Sequence, residues 1–152
     1  MTLDEALRDV DAILIDTAPA IYHLEHHPTY SPVMLAFFRL RAERGLRVVT
    51  SPVTLGECLV HPFRLDRSDL LESYSELLLS GEETEFHEID SELAIRAAQI
   101  RAEHGLRLLD AFQVALARRA GCEAILTNDN AFRRAGQPRA ILLDDFVGDE
   151  ES

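Results

Sequence analysis

Five short apolar runs punctuate the chain, at about 12–16, 46–50, 84–89, 124–127 and 140–143. Four of them are continuously apolar or nearly so, as in Ala12-Ile13-Leu14-Ile15 and Ala124-Ile125-Leu126-Thr127. Such runs predict strands covered on both faces. The stretch Thr84-Glu85-Phe86-His87-Glu88-Ile89 instead alternates apolar with polar and predicts an edge strand with one wet face. Between the runs lie helical patterns at 17–25, 31–44, 54–60, 68–79, 91–104 and 110–120. Pro19 falls in a first turn, where proline is tolerated. Ser31-Pro32 reads as N-cap and first position, and Gly45, Gly81, Gly105 and Gly121 mark helix ends. His61-Pro62 is expected to stop the short helix before it. This alternation predicts an α/β fold, a mostly parallel sheet with helices on both faces.

Length and composition narrow the class. At 152 residues and 47% hydrophobic content, the chain reads as one domain over 1–147, since a chain of this size buries roughly 70% of its unfolded surface. Residues 148–152 form an acidic tail expected to be disordered. Cys58 and Cys122 make no disulfide framework and read as reduced thiols. No apolar stretch approaches the ~20 residues of a membrane span, and the first 15 residues lack a signal-peptide pattern. A cytoplasmic protein without a membrane partner is expected.

The net charge is −12, whereas nucleic-acid-binding domains usually carry a basic footprint. Fifteen of the 27 acids, however, fall in 82–92, in 144–151 and in the four positions described next, leaving room for local arginine surfaces such as Arg39, Arg41, Arg44 and Arg47. All basic residues other than histidine are arginine.

Those four acids are Asp16, Glu57, Asp110 and Asp129. Asp16 ends the first run and Asp129 follows the fourth, while Glu57 and Asp110 lie in helical segments after the second and third. Ligands of open parallel sheets sit beyond the carboxyl ends of the strands. With strand order 3-2-1-4-5, strands one and four are neighbours and all four carboxylates meet at one edge. Two unit charges 4 Å apart repel by roughly 4 kcal/mol at an effective dielectric of 20. Gathered carboxylates must therefore take up protons or a cation. All-oxygen donors select magnesium or manganese, and such an ion supports hydrolysis of a phosphodiester. Singly, each acid has a plainer reading: helix capping for Asp16 and Asp110, an exposed helix position for Glu57, turn chemistry for Asp129.

The segments Leu14-Ile15-Asp16-Thr17, Thr54-Leu55-Gly56-Glu57-Cys58-Leu59, Leu109-Asp110-Ala111-Phe112-Gln113-Val114-Ala115-Leu116-Ala117 and Leu126-Thr127-Asn128-Asp129-Asn130-Ala131-Phe132 resemble, in order and spacing, the PIN-domain ribonucleases. In size the chain is most similar to the VapC-type toxins of toxin–antitoxin pairs. The resemblance runs from about residue 12 to 143. It implies a three-layer α/β/α domain, a Mg2+-dependent (or Mn2+-dependent) endoribonuclease, a homodimer and a protein antitoxin. It carries the metal-site acids over to Asp16, Glu57, Asp110 and Asp129, with Thr127 as a supporting hydroxyl. A basic antitoxin segment over the acidic cleft would suit the net charge.

Other features point less far. His23, His26 and His27 lack matching ligands for tetrahedral zinc. Asp144 and Asp145 read as entry to a solvated tail, Arg64 and Arg67 as loop arginines within reach of phosphate, and Tyr22, Tyr30 and Tyr74 as packing residues. No Gly-rich run ends in Gly-Lys, which excludes a P-loop. A phosphorelay receiver would need a lysine, and Ala18 occupies the second acidic position of a haloacid-dehalogenase phosphatase. The alternative is a PIN-like module that binds RNA or protein without cutting.

Overall fold

A computed structural model describes residues 1–148; the acidic tail beyond Gly148 lies outside the described residues. Its sheet has five strands, β1 (Ala12–Ile15), β2 (Arg47–Thr50), β3 (Glu85–Phe86), β4 (Ala124–Thr127) and β5 (Arg139–Leu142). Their order is 3-2-1-4-5 and every pairing is parallel. The helices are α1 (Leu3–Ala6), α2 (Thr17–Leu24), α3 (Ser31–Arg44), α4 (Pro52–Arg64), α5 (Ser68–Ser75), α6 (Ser91–His104) and α7 (Leu108–Arg119).

Period-two alternation sorts each strand between two cores. Ile13, Ile15, Val48, Leu126 and Ile141 belong to the cluster that contains Leu7, Met34, Phe37, Tyr74 and Leu78. Ala12, Leu14, Val49 and Ile125 belong to the one formed with Leu93, Ala97, Ile100, Val114 and Leu116 of α6 and α7. The sheet is the middle layer of three, as the apolar runs predict.

Element boundaries shift where local chemistry outweighs the pattern. The alternating run 84–89 forms ladder pairs only at Glu85–Phe86, at the sheet edge, with His87 N donating to Thr50 O at 3.0 Å. α4 does not stop at His61-Pro62; it runs through to Arg64 with Pro62 inside and buried. Pro62 removes one amide donor, but its buried ring packs. At α3, the N-cap is Tyr30, and Ser31 already belongs to the helix. The run 68–79 divides into α5 and a π-helical turn, Glu76–Ser80, ahead of Gly81. A Cβ on Gly81 would meet Glu76 O at 2.6 Å and Leu77 O at 3.0 Å, so the close approach of backbone here requires glycine. α1 has no counterpart in the apolar pattern. It starts from the reciprocal capping box of Thr2 and Glu5, a signal present in Thr2-Leu3-Asp4-Glu5.

Candidate active site

The carboxyl ends of β1 and β4 build the centre of one sheet edge. Asp16 N donates to Leu126 O at 2.9 Å, continuing the β1–β4 ladder one residue past β1. Asp16 occupies the N-cap position of α2, yet its carboxylate makes no capping bond to the helix. It instead accepts from the buried Thr127 hydroxyl, Oγ1 to Oδ2 at 2.8 Å. Capping is therefore not what holds this side chain. The same Thr127 oxygen accepts from Asp129 N at 3.0 Å, so one hydroxyl joins the two strand ends. Asp129 Oδ1 accepts from Ala131 N at 2.9 Å, capping the 3-10 turn Asn130–Ala135. The turn chemistry anticipated for Asp129 is present alongside its place at the edge.

Glu57 reaches this edge from α4. Thr17, next to Asp16, donates its hydroxyl to Glu57 Oε1 at 2.6 Å. Asp110 arrives from α7, which begins two residues earlier than expected, with Arg107 at the N-cap; Asp110 is thus the third residue of the helix and caps nothing. Its carboxylate takes a two-pronged bond from Arg107, Nε to Oδ2 at 3.1 Å and Nη2 to Oδ1 at 3.3 Å.

What ties α7 to α4 is Gln113, one turn beyond Asp110 and 1% exposed. Its Nε2 donates to Thr54 Oγ1 at 2.7 Å, while its Oε1 accepts from Ser51 Oγ at 2.7 Å. Thr54 in turn donates to Ile15 O at 3.3 Å. Strand β1 and the two helices that carry Glu57 and Asp110 are thereby locked by a buried polar chain. Gln113 carries no expected role from its sequence position. Its spacing, three residues after Asp110 on one helix face, was the available signal.

Electrostatics reflects the gathering. Burial raises the Asp16 carboxyl to about 6 against the lowering effect of the Thr127 hydroxyl and the nearby Thr17 backbone amide, and the charges of Asp110 and Glu57 push it further up. Asp110 is also raised, chiefly by burial, with Arg107 opposing and Asp129 and Glu57 adding to the rise. Each acid is satisfied by its own neighbour. Among the described residues, no three Asp, Glu, His or Cys side chains close into a ready-made cation cage. The donor set itself fits a hard divalent ion, being carboxylate oxygen throughout.

Other candidates are engaged by neighbours of their own, although Asp144 N donates to Asn128 Oδ1 at 3.1 Å, next to Asp129. His27 Nδ1 is taken by the amides of Thr29 and Tyr30, and its ring packs with Tyr22 and Tyr30. His23 packs on Phe38 at 4.6 Å. Tyr74 is fully buried, with its hydroxyl on Glu25, and Tyr22 stacks on Tyr30 at 4.5 Å. Arg67 is folded back on Asp69. Arg44 pairs with Asp4 and Arg47 with Glu85, which removes two of the four arginines from the basic surface anticipated there. Asp144 accepts from the Tyr30 hydroxyl at 2.5 Å, and Asp145 faces Arg133 at 3.8 Å. Cys58 and Cys122 are free, buried thiols. Among the described residues no helix is long and apolar enough to cross a membrane.

An acidic edge on a parallel 3-2-1-4-5 sheet defines a PIN-like α/β protein. The PIN-domain family model matches residues 13–138, and the chain belongs to that family, whose members are nucleases. No curated protein matches it in sequence. Among solved structures it is similar to VapBC2 from Rickettsia felis bound to a promoter DNA fragment, with TM-score 0.69, 15% identity, and 86% of this chain and 98% of that one covered. VapC20 of Mycobacterium tuberculosis, a toxin that cleaves the sarcin-ricin loop, gives 0.62 and 21%, covering 82% and 95%. A toxin–antitoxin complex from Klebsiella pneumoniae gives 0.61 and 21%, covering 86% and 97%.

Proposed function

We propose that this protein is a divalent-metal-dependent endoribonuclease, the toxin of a toxin–antitoxin pair, with Asp16, Glu57, Asp110 and Asp129 as the metal-site acids. The observation that carries the reading is Asp16: a carboxylate only 8% exposed, at the end of the central strand, within the field of two further acids. Burying a charge among like charges costs stability unless a cation compensates. A hard dication such as Mg2+ or Mn2+ would be held by these four carboxylates. When bound, it supplies Lewis acidity toward the phosphodiester and toward water.

The chain's own residues do the positioning. Thr127 orients Asp16 and the backbone at Asp129 at once, and Thr17 directs Glu57 toward the edge. Gln113 sets the approach of α7 to α4. Family membership supports nuclease chemistry. The toxin and toxin–antitoxin neighbours support a toxin role and an antitoxin partner. A basic antitoxin segment complements the −12 charge, and exposed Val60, Phe63 and Leu65 around the end of α4 offer apolar area to a partner chain, whether the antitoxin or a second copy in a homodimer.

Incubation of the purified protein with structured RNA and Mg2+ tests the proposal. Cleavage that disappears with EDTA and with Asp16→Asn is expected. Metal-independent cleavage, or full activity of Asp16→Asn, would reject the site; absence of cleavage in an Mn2+-binding protein would favour the binding module.

A further inference from the structure

Arg107 sits over the acidic edge as a tethered cation. Its guanidinium uses two nitrogens on the two oxygens of Asp110. The partners differ sharply in environment, the Arg107 side chain being 74% exposed and that of Asp110 8%. Its backbone is held as the extended N-cap of α7, and the side chain makes no capping bond. The charges of Asp129 and Glu57 also reach it. A long, exposed arm that ends on a buried carboxylate can let go without disturbing the core, because most of the side chain already faces water.

A dication and a guanidinium cannot both be neutralised by the same carboxylate without repelling each other. We propose that Arg107 is a built-in competitor for the metal at Asp110: metal loading displaces its guanidinium, which then contacts a phosphate of the RNA. This inference rests on the metal-site reading above. It also gives the acidic chain a positive group beside the scissile region that becomes free only when the site is loaded. Guanidinium forks pair with phosphate oxygens as they do with carboxylates.

The test compares wild type, Arg107→Met, which keeps the apolar stem, and Arg107→Lys, which keeps the charge without the fork. Mn2+ binding is measured by calorimetry on the protein alone. Binding of a labelled oligouridylate is measured by anisotropy in Ca2+. Removing a competitor tightens metal binding, and we expect Arg107→Met to lower the Mn2+ Kd by about 3- to 10-fold, within the usual range of coupling between sites. The same variant should bind the oligonucleotide about 3- to 10-fold more weakly, with a salt slope reduced by roughly 0.7. Arg107→Lys should fall between the two on both measures.

These opposite signs separate the swap from a structural role. A melting temperature lowered with Mn2+ affinity unchanged would overturn it, and so would tighter metal binding with RNA binding intact. If wild type binds Mn2+ and Arg107→Met binds no more tightly, this inference fails while the metal site stands. If wild type binds no Mn2+, both fall.

Discussion

The side-chain amide of Gln113 donates to the Thr54 hydroxyl at 2.7 Å, in a bond buried between α7 and α4. Through Thr54 the chain of bonds continues to the Ile15 carbonyl, immediately before Asp16. The same amide oxygen takes the Ser51 hydroxyl. The register between the helices that carry Asp110 and Glu57 is thus set by polar groups with no access to water. Partial satisfaction of such a network is costly.

Replacing Gln113 by Leu should destabilise the protein by roughly 1–3 kcal/mol, because the Ser51 and Thr54 hydroxyls lose a buried partner. Urea denaturation measures this. RNA cleavage should fall with it at temperatures well below unfolding, since α7 loses its anchor beside Asp110. Unchanged stability would show that the two hydroxyls find other partners.

Asp16→Asn keeps an oxygen that can accept from Thr127 and removes one charge from the cluster. In EDTA its melting temperature should equal or exceed that of wild type, while RNA cleavage in Mg2+ is abolished. Asp110→Asn should also abolish cleavage with the fold intact, as judged by circular dichroism. A large stability loss in either variant would return these residues to a structural role.

The metal-free protein should gain stability on mild acidification. The folded pKa of Asp16, about 6, lies above its ordinary 3.8. Between these values the folded state binds more protons than the unfolded one, so stability rises as pH falls from about 6.5 toward 4. At ~1.4 kcal/mol per pH unit, the gain from this group is roughly 2–3 kcal/mol, and the upward shift of Asp110 has the same sign. Thermal melts in EDTA across this range check the slope, which saturating Mn2+ should flatten.

Thr127→Val preserves shape and deletes the hydroxyl that serves Asp16 Oδ2 and Asp129 N. We expect a loss of roughly 1–3 kcal/mol from the unsatisfied buried groups. Mn2+ binding, read by calorimetry, should weaken as Asp16 becomes harder to ionise. Equal affinity in the variant would deny Thr127 any part in the site.

Gly81→Ala pushes a methyl against the Glu76 and Leu77 carbonyls, both backbone atoms that cannot rotate away. The π-helical turn must then rearrange, at roughly 1–3 kcal/mol. Hydrogen exchange should localise the loosening to 76–86, including the edge strand β3. An unaltered exchange pattern there would contradict the close packing at Gly81.

Much of this was legible in the chain itself. Runs such as Ala12–Ile15 and Ala124–Thr127 reveal strands because a short strand covered on both faces takes apolar residues at nearly every position. The order 3-2-1-4-5 and the placement of Asp16, Glu57, Asp110 and Asp129 after successive strands followed from that alternation together with the likeness of their segments to one family. Element ends were harder to read. Pro62 inside α4 and the two-residue β3 depend on what packs against them, which hydrophobic periodicity does not encode.

The amino-acid order by itself determined which side chains are acidic, where strands and helices alternate, and hence that carboxylates collect along one border of the sheet. Tertiary contact decided the distant partners, Thr127 on Asp16 and Thr17 on Glu57, whereas Arg107 on Asp110 is a local pair three residues apart. Residue spacing reports the periodicity of a local backbone. Partners such as Thr127 and Asp16 are 111 positions apart, and their meeting depends on the summed packing of both faces of the sheet.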